Sequence, residues 1–216
     1  MAVSTIASYS HDHFHRLPML QDARDTYLQA GGDDLIDRVF KDFFVEAGMD
    51  TTFGLSMLHR HFDIATNQKV VDYNGTSSPW SNIPGMEEPK PHLWAFDQDG
   101  LLKPTEFRYT KQKDDITFGQ KELEFVTQLK EKLEQFGLTK LFGLARYPGD
   151  DFPGSCEITQ GMSSVNLRPQ DYPDGLIHIP TIWWFSEPLF KRGCRCTCNA
   201  SAKDHPHGAH VITITG

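Results

Sequence analysis

The chain reads as a single α+β domain, rich in strands, in which a mixed or antiparallel sheet or barrel is accompanied by two main helices. Three observations predict this. Two stretches carry helical periodicity, and most of the remainder breaks into short β-prone runs bounded by Pro, Gly, Asn and Asp. The strand-like runs do not alternate regularly with helices, which argues against an open doubly wound sheet. At 216 residues, with 23 % charged content, the chain is long enough for one sizeable core and too apolar for wholesale disorder.

Residues 1–18 are polar, hold His11, His13 and His15, and lack a sustained period. They are expected to form a flexible arm ahead of a globular domain over 19–216. From Asp33, the residues Leu35, Ile36, Val39, Phe40, Phe43 and Phe44 recur at three- to four-residue steps. This predicts a helix opened by an aspartate cap and ended by Gly48. Strand-like runs follow at 52–64 and 69–73, and the runs 93–96 and 105–109 flank Asp99-Gly100 as a hairpin. Thr117-Phe118-Gly119-Gln120 matches a capping box, and Leu123, Val126, Leu129, Leu133 and Phe136 mark one face of a second helix closed by Gly137. Further short strands are expected at 140–147, 155–159, 164–167, 177–185 and 210–215.

A net charge of -8 without clustered Lys and Arg argues against a nucleic-acid partner. No basic start precedes a long apolar run, and no segment approaches the roughly 18 apolar residues of a membrane span. A cytoplasmic protein with no membrane association is therefore expected. The chain carries no G-x-G-x-x-G or G-x-x-x-x-G-K-[ST] nucleotide fingerprint and no G-x-S-x-G elbow. Cys194, Cys196 and Cys198 crowd together and Cys156 stands apart. That spacing suits thiol ligands or a redox pair better than a disulfide framework.

The strings FGLSMLHRHFDI at 53–64, WAFDQDGLLKPTEF at 94–107 and EITQG at 157–161, with the ending that holds Cys196, Cys198 and His210, form a recognisable set. Together they resemble a protein family of filamentous fungi to which no fold or reaction is attached. The resemblance spans roughly residues 50–215. It implies a setting in cytosolic housekeeping or secondary metabolism.

Chemistry concentrates first in residues 57–64. As a strand, this run would place His59, His61 and Asp63 on one face, with Leu58, Phe62 and Ile64 packed behind. Imidazole and carboxylate together suit Fe(II), Cu(II) or Zn(II). His61 and Asp63 would form the H-x-D pair of a facial triad, with His178 as third ligand and His92 competing for that place. Lys191 or Arg192 would then hold a co-substrate carboxylate, as in oxygenases that use 2-oxoglutarate. A cupin-like reading takes His59-x-His61 as the paired histidines. No glutamate follows within a few residues, and Glu157 would serve only if the fold brought it near. A metal-free site would use His59 or His61 as general acid/base, oriented by Asp63. The plain structural alternative is a half-exposed strand whose polar face meets water.

The C-terminal stretch offers a second candidate. Cys196, Cys198, His205 and His210 suit a closed tetrahedral zinc, with Cys194 competing and free or redox-active thiols as alternatives. Cys156 is expected to be a small core residue. Trp183 and Trp184 must point to opposite faces of a strand, so at most one of them need line a pocket. The combined expectation is a small cytosolic enzyme acting on an apolar or aromatic small molecule through a His/Asp site. The alternative is a non-catalytic binding module with structural zinc.

Overall fold

In the computed structural model, which describes residues 6–81, 85, 87–110, 116–175 and 177–199, strand pairing closes on itself. The strands are β1 (Phe53–Met57), β2 (Gln68–Tyr73), β3 (Thr76–Ser81), β4 (Lys90–Phe96), β5 (Leu102–Arg108), β6 (Phe142–Arg146), β7 (Ser155–Gln160), β8 (Ser163–Leu167), β9 (His178–Trp183) and β10 (Arg195–Asn199). They form a ten-stranded barrel in the order β1-β6-β4-β5-β2-β3-β8-β7-β10-β9, and β1 pairs with β9 to complete it. The pairs β2/β5 and β7/β10 are parallel and the rest antiparallel. The expected hairpin at Asp99-Gly100 joins β4 to β5. There Gly100 takes φ +75°, and the Asp97 carboxylate accepts from the backbone N–H groups of Asp99 and Leu101.

The main apolar core lies between the barrel wall and a helical layer. Alternation along β1 sends Phe53, Leu55 and Met57 into this core, together with Phe142 and Leu144 of β6. The opposing surface comes from α5 (Gln120–Gln135), whose Phe125, Leu129 and Leu133 are buried, and from Phe40 and Phe44. Stacking of Phe53 on Phe125, with ring centroids 6.0 Å apart, ties the two layers. The expected α5 is present. The helix expected from Asp33 is divided into α3 (Gly32–Leu35), a π-helical turn at Ile36–Phe40 and α4 (Lys41–Glu46). It is preceded by α2 (Leu20–Gln29), whose buried residues are only Leu20, Ala23 and Tyr27. So narrow an apolar stripe leaves little periodic signal.

Two further expectations are corrected. Within residues 1–18, the described part is not a loose arm: α1 (His11–His15) is capped by Ser10, and Phe14 is 2 % exposed. Phe14 and Leu17 pack with Leu58, Ile64, Val70 and Ala95 in a second apolar cluster. The strand expected over 52–64 ends at Met57. Beyond it the chain turns to meet the N-terminal segment, where Arg60 donates from its backbone N–H to Pro18 O at 2.9 Å and from Nε to Leu17 O at 3.0 Å. The strand expected at 210–215 lies outside the described residues. Among the described residues, no helix is long and apolar enough to cross a membrane.

Glycines permit close strand packing at one point of the wall. A Cβ on Gly143 would stand 2.1 Å from the Trp94 carbonyl oxygen and 2.7 Å from a Leu58 methyl. Backbone cannot yield as a flexible side chain does, so Gly143→Ala is expected to cost about 1–3 kcal/mol. Urea unfolding of the two proteins side by side would reveal this as a lower midpoint at unchanged slope.

Candidate metal centre

Four donor groups from three parts of the chain converge inside the barrel. His59 and His61 come from the turn after β1, Glu157 from β7 and Cys198 from β10. The two histidine Nε2 atoms are 3.1 Å apart. Cys198 Sγ stands 3.4 Å from His59 Nε2, 3.6 Å from His61 Nε2 and 3.3 Å from Glu157 Oε2, and His61 Nε2 is 3.1 Å from that same oxygen. All four donor atoms lie within 4.8 Å of one another. A tetrahedral zinc with ordinary Zn–N and Zn–S bonds has edges of about 3.3 Å between nitrogens and about 3.6 Å between nitrogen and sulfur. The five distances above approximate five edges of such a tetrahedron.

Hydrogen bonding presents the donors correctly. His59 Nδ1 lies 2.8 Å from the Met57 carbonyl oxygen. A carbonyl only accepts, so Nδ1 carries the hydrogen and neutral His59 keeps its Nε2 lone pair for the cluster. His61 and Cys198 are buried. Burial resists ionisation of Glu157, but the adjacent imidazoles of His61 and His59 outweigh it and hold the carboxyl well below its usual range. Burial, followed by the Glu157 carboxylate, pushes the Cys198 thiol well above its ordinary value. The protein thus offers a carboxylate, two imidazoles and a protonated thiol, and a bound cation would displace the thiol proton.

The cluster borders a cavity of about 460 Å³ in the barrel interior. His59 and Glu157 line it, with Ser56, Thr181, Glu106 and Cys196 around them. Trp184, Phe152 and Leu93, which belong to one apolar group, give the cavity an apolar stretch of wall. The doublet Trp183-Trp184 divides as its alternation requires: Trp183 stacks on Tyr27 at 5.3 Å, whereas Trp184 faces the cavity. Burial, then the charges of Glu157 and Asp72, push the Glu106 carboxyl up to about 8.

Of the residues expected to form the site, His59, His61 and Cys198 are brought together. Asp63 is not among them. Once the strand ends at Met57, alternation no longer applies, and the Asp63 side chain is 71 % exposed, paired with Arg60 and 3.4 Å from His15. His178 also stands apart, with Nδ1 3.1 Å from Thr197 Oγ1 and its ring against Tyr172. His92 lines the cavity outside the cluster. Arg192 ends α6 (Glu187–Arg192), where it donates to the carbonyls of Pro188 and Asp150, and neighbouring Lys191 pairs with Glu187. Cys196 accepts from the Ser155 hydroxyl at 3.2 Å and takes no part in the cluster. His205 and His210 lie outside the described residues. Cys156 is fully buried with Ile158, Leu167 and Tyr172, as expected of a core residue.

Glu157 is the member of the cluster that spacing along the chain did not reveal. Its only sequence signal is the polar alternation Ser155, Glu157, Thr159 along β7.

Two measurements test this geometry. Co(II)-substituted protein should show tetrahedral d–d bands and a thiolate charge-transfer band that Cys198→Ser removes, whereas Asp63→Ala and His178→Ala keep both. In the metal-free protein, a Glu106 carboxyl raised from its ordinary 4.5 to about 8 holds a proton that the unfolded chain has released between those values. Its contribution to stability is therefore fully present below about pH 4.5 and declines as pH rises through about 8. Glu106→Gln should flatten that decline in denaturant midpoints measured across the interval. No protein-family model, curated protein or solved structure matches this chain.

Proposed function

We propose that this protein is a metal-dependent enzyme that transforms a small organic molecule inside its barrel. The ion would be held by His59, His61, Glu157 and Cys198. The observation that carries the reading is the near-tetrahedral set of nitrogen, oxygen and sulfur donors on the wall of a cavity sized for a small molecule.

The donor set selects the class of ion. A thiolate and two imidazoles disfavour Mg(II) and Ca(II) and suit Zn(II), with Fe(II) and Cu(II) next. With Zn(II), one thiolate and one carboxylate balance the charge of the ion, so the buried centre is neutral overall. A bound ion of this kind supplies Lewis acidity toward water or a carbonyl oxygen.

The chain's own residues divide the remaining work. His61 and Cys198 anchor the site from behind, while His59 and Glu157 present it to the cavity. Glu157, which would help hold the ion, also lines the cavity, where its carboxylate is placed to accept a proton from a bound molecule. Glu106, also on the wall and readily protonated, is the acid placed to return one. The apolar side of the cavity accommodates the aromatic or aliphatic body of the substrate.

A rival reading has the ion as a purely structural clip, favoured by the presence of four protein donors in one set. Azide titration of the Co(II) protein separates the two. A working centre changes its visible spectrum as azide enters, whereas a closed structural site leaves the spectrum unmoved and loses its fold when the ion is chelated. About one equivalent of zinc, iron or copper is expected in the purified protein by elemental analysis. Preparations that never retain any such ion would overturn both readings.

A further inference from the structure

Beside the main cavity lies a second, smaller recess of about 50 Å³. Both spaces share His92, Arg108, Thr110, Arg146 and Pro148 as lining, so they adjoin. Lys90 completes the recess. Its position follows from the topology: β5, β4 and β6 are neighbours in the sheet, Lys90 at the start of β4 is in register with Arg108 at the end of β5, and β6 ends at Arg146. Three cationic side chains therefore share one end of three adjacent strands. They do so in a chain whose net charge is -8.

The recess and the main cavity differ in charge balance, since the main cavity sets carboxylates beside Arg108, Arg146 and Arg168. Among the described residues that line the recess, none is acidic. The main cavity carries Asp72, Glu106 and Glu157. Asp72 approaches Arg108 from that side, at 3.7 Å. His92, between the two spaces, is held neutral by burial and then by the charges of Arg108 and Arg146. A neutral imidazole next to guanidinium groups still offers a hydrogen bond to an anion without adding repulsion among the cations.

We propose that this recess is an anion subsite for the carboxylate of a small organic acid, whose apolar body extends into the main cavity along Phe152 and Trp184 toward His59 and Glu157. This rests on the enzymatic reading above and names its substrate class. Size and charge both support it. On the measure by which one water needs roughly 10–15 Å³, a recess of about 50 Å³ has room for a group of carboxylate size. Guanidinium groups match a carboxylate through paired N–H donors. A doubly charged phosphate ester would gain the same cations but would bring more negative charge toward the acidic groups of the main cavity.

Calorimetric or NMR titration of the metal-loaded full chain with acetate, benzoate, 3-phenylpropionate, 3-phenylpropanol and phenyl phosphate tests the proposal. An aromatic carboxylate should bind about tenfold or more tightly than the alcohol, the scale of a charge-assisted hydrogen bond. Arg146→Gln should remove most of that preference while metal content stays unchanged. Lys90→Met, at the rim of the strand, is the second variant should Arg146→Gln unfold. Absence of carboxylate binding, equal binding of acid and alcohol, or tighter binding of phenyl phosphate overturns the proposal.

The Cys198→Ser protein distinguishes this failure from that of the metal reading. Carboxylate preference that survives there supports the recess whatever the fate of the ion. Preference that vanishes there but resists both Arg146→Gln and Lys90→Met makes the carboxylate a ligand of the ion and sinks the recess.

Discussion

Two imidazoles, a carboxylate and a thiol share one buried space, with their donor atoms all within 4.8 Å of one another. Only one hydrogen fits between the facing Nε2 atoms of His59 and His61, and the His59 ring already commits its other nitrogen to the Met57 carbonyl. Each lone pair aimed into the cluster raises the cost of burying the next. A single cation, as proposed, would be held by all four groups together. The remainder of the interior is arranged around that constraint, with Thr181 3.8 Å from the Cys198 sulfur and the Thr159 and Ser164 hydroxyls bonded to each other at 2.6 Å on the flanking strands.

Reserving the interior for polar chemistry displaces the apolar core outward. Phe53, Leu55, Met57, Phe142 and Leu144 face the helices, so the wall of the barrel is also the floor of the hydrophobic layer. A barrel of ten strands is wide enough to leave space that side chains do not fill. Small residues such as Ser56 and Ala145 keep that space open. Strands such as β1 and β6 therefore serve two solvents at once: dispersion contacts on one face, and a polar cavity on the other.

Strand alternation carried much of this into the sequence. It separated Trp183 from Trp184, and the short runs divided by turn residues made a β-rich α+β fold legible. The histidine pair was legible too, because two imidazoles beside apolar neighbours stand out. Asp63 misled for a physical reason: alternation in sequence continues past Met57, but the tertiary hydrogen bonds of Arg60 to Leu17 and Pro18 end the strand. Glu157 lies about a hundred residues from the histidines and reaches them only through closure of the barrel. No local pattern encodes such a meeting. Cys198 was visible within a crowded thiol run, but its partners are the distant histidines and Glu157 rather than Cys196.

The place of β10 in the barrel governs when the centre can come into being. β10 sits between β7 and β9, and without it the circle of strands stays open. It is also the last described strand, and it delivers Cys198 to histidines that lie 139 and 137 residues earlier. Contacts across such a span slow folding, because loop closure is paid for before they form. During synthesis the histidines emerge long before the thiol that completes their set. With the proposed ion, metal capture and barrel closure would become one late, cooperative step, in which the arriving strand and the ion each make the binding of the other tighter.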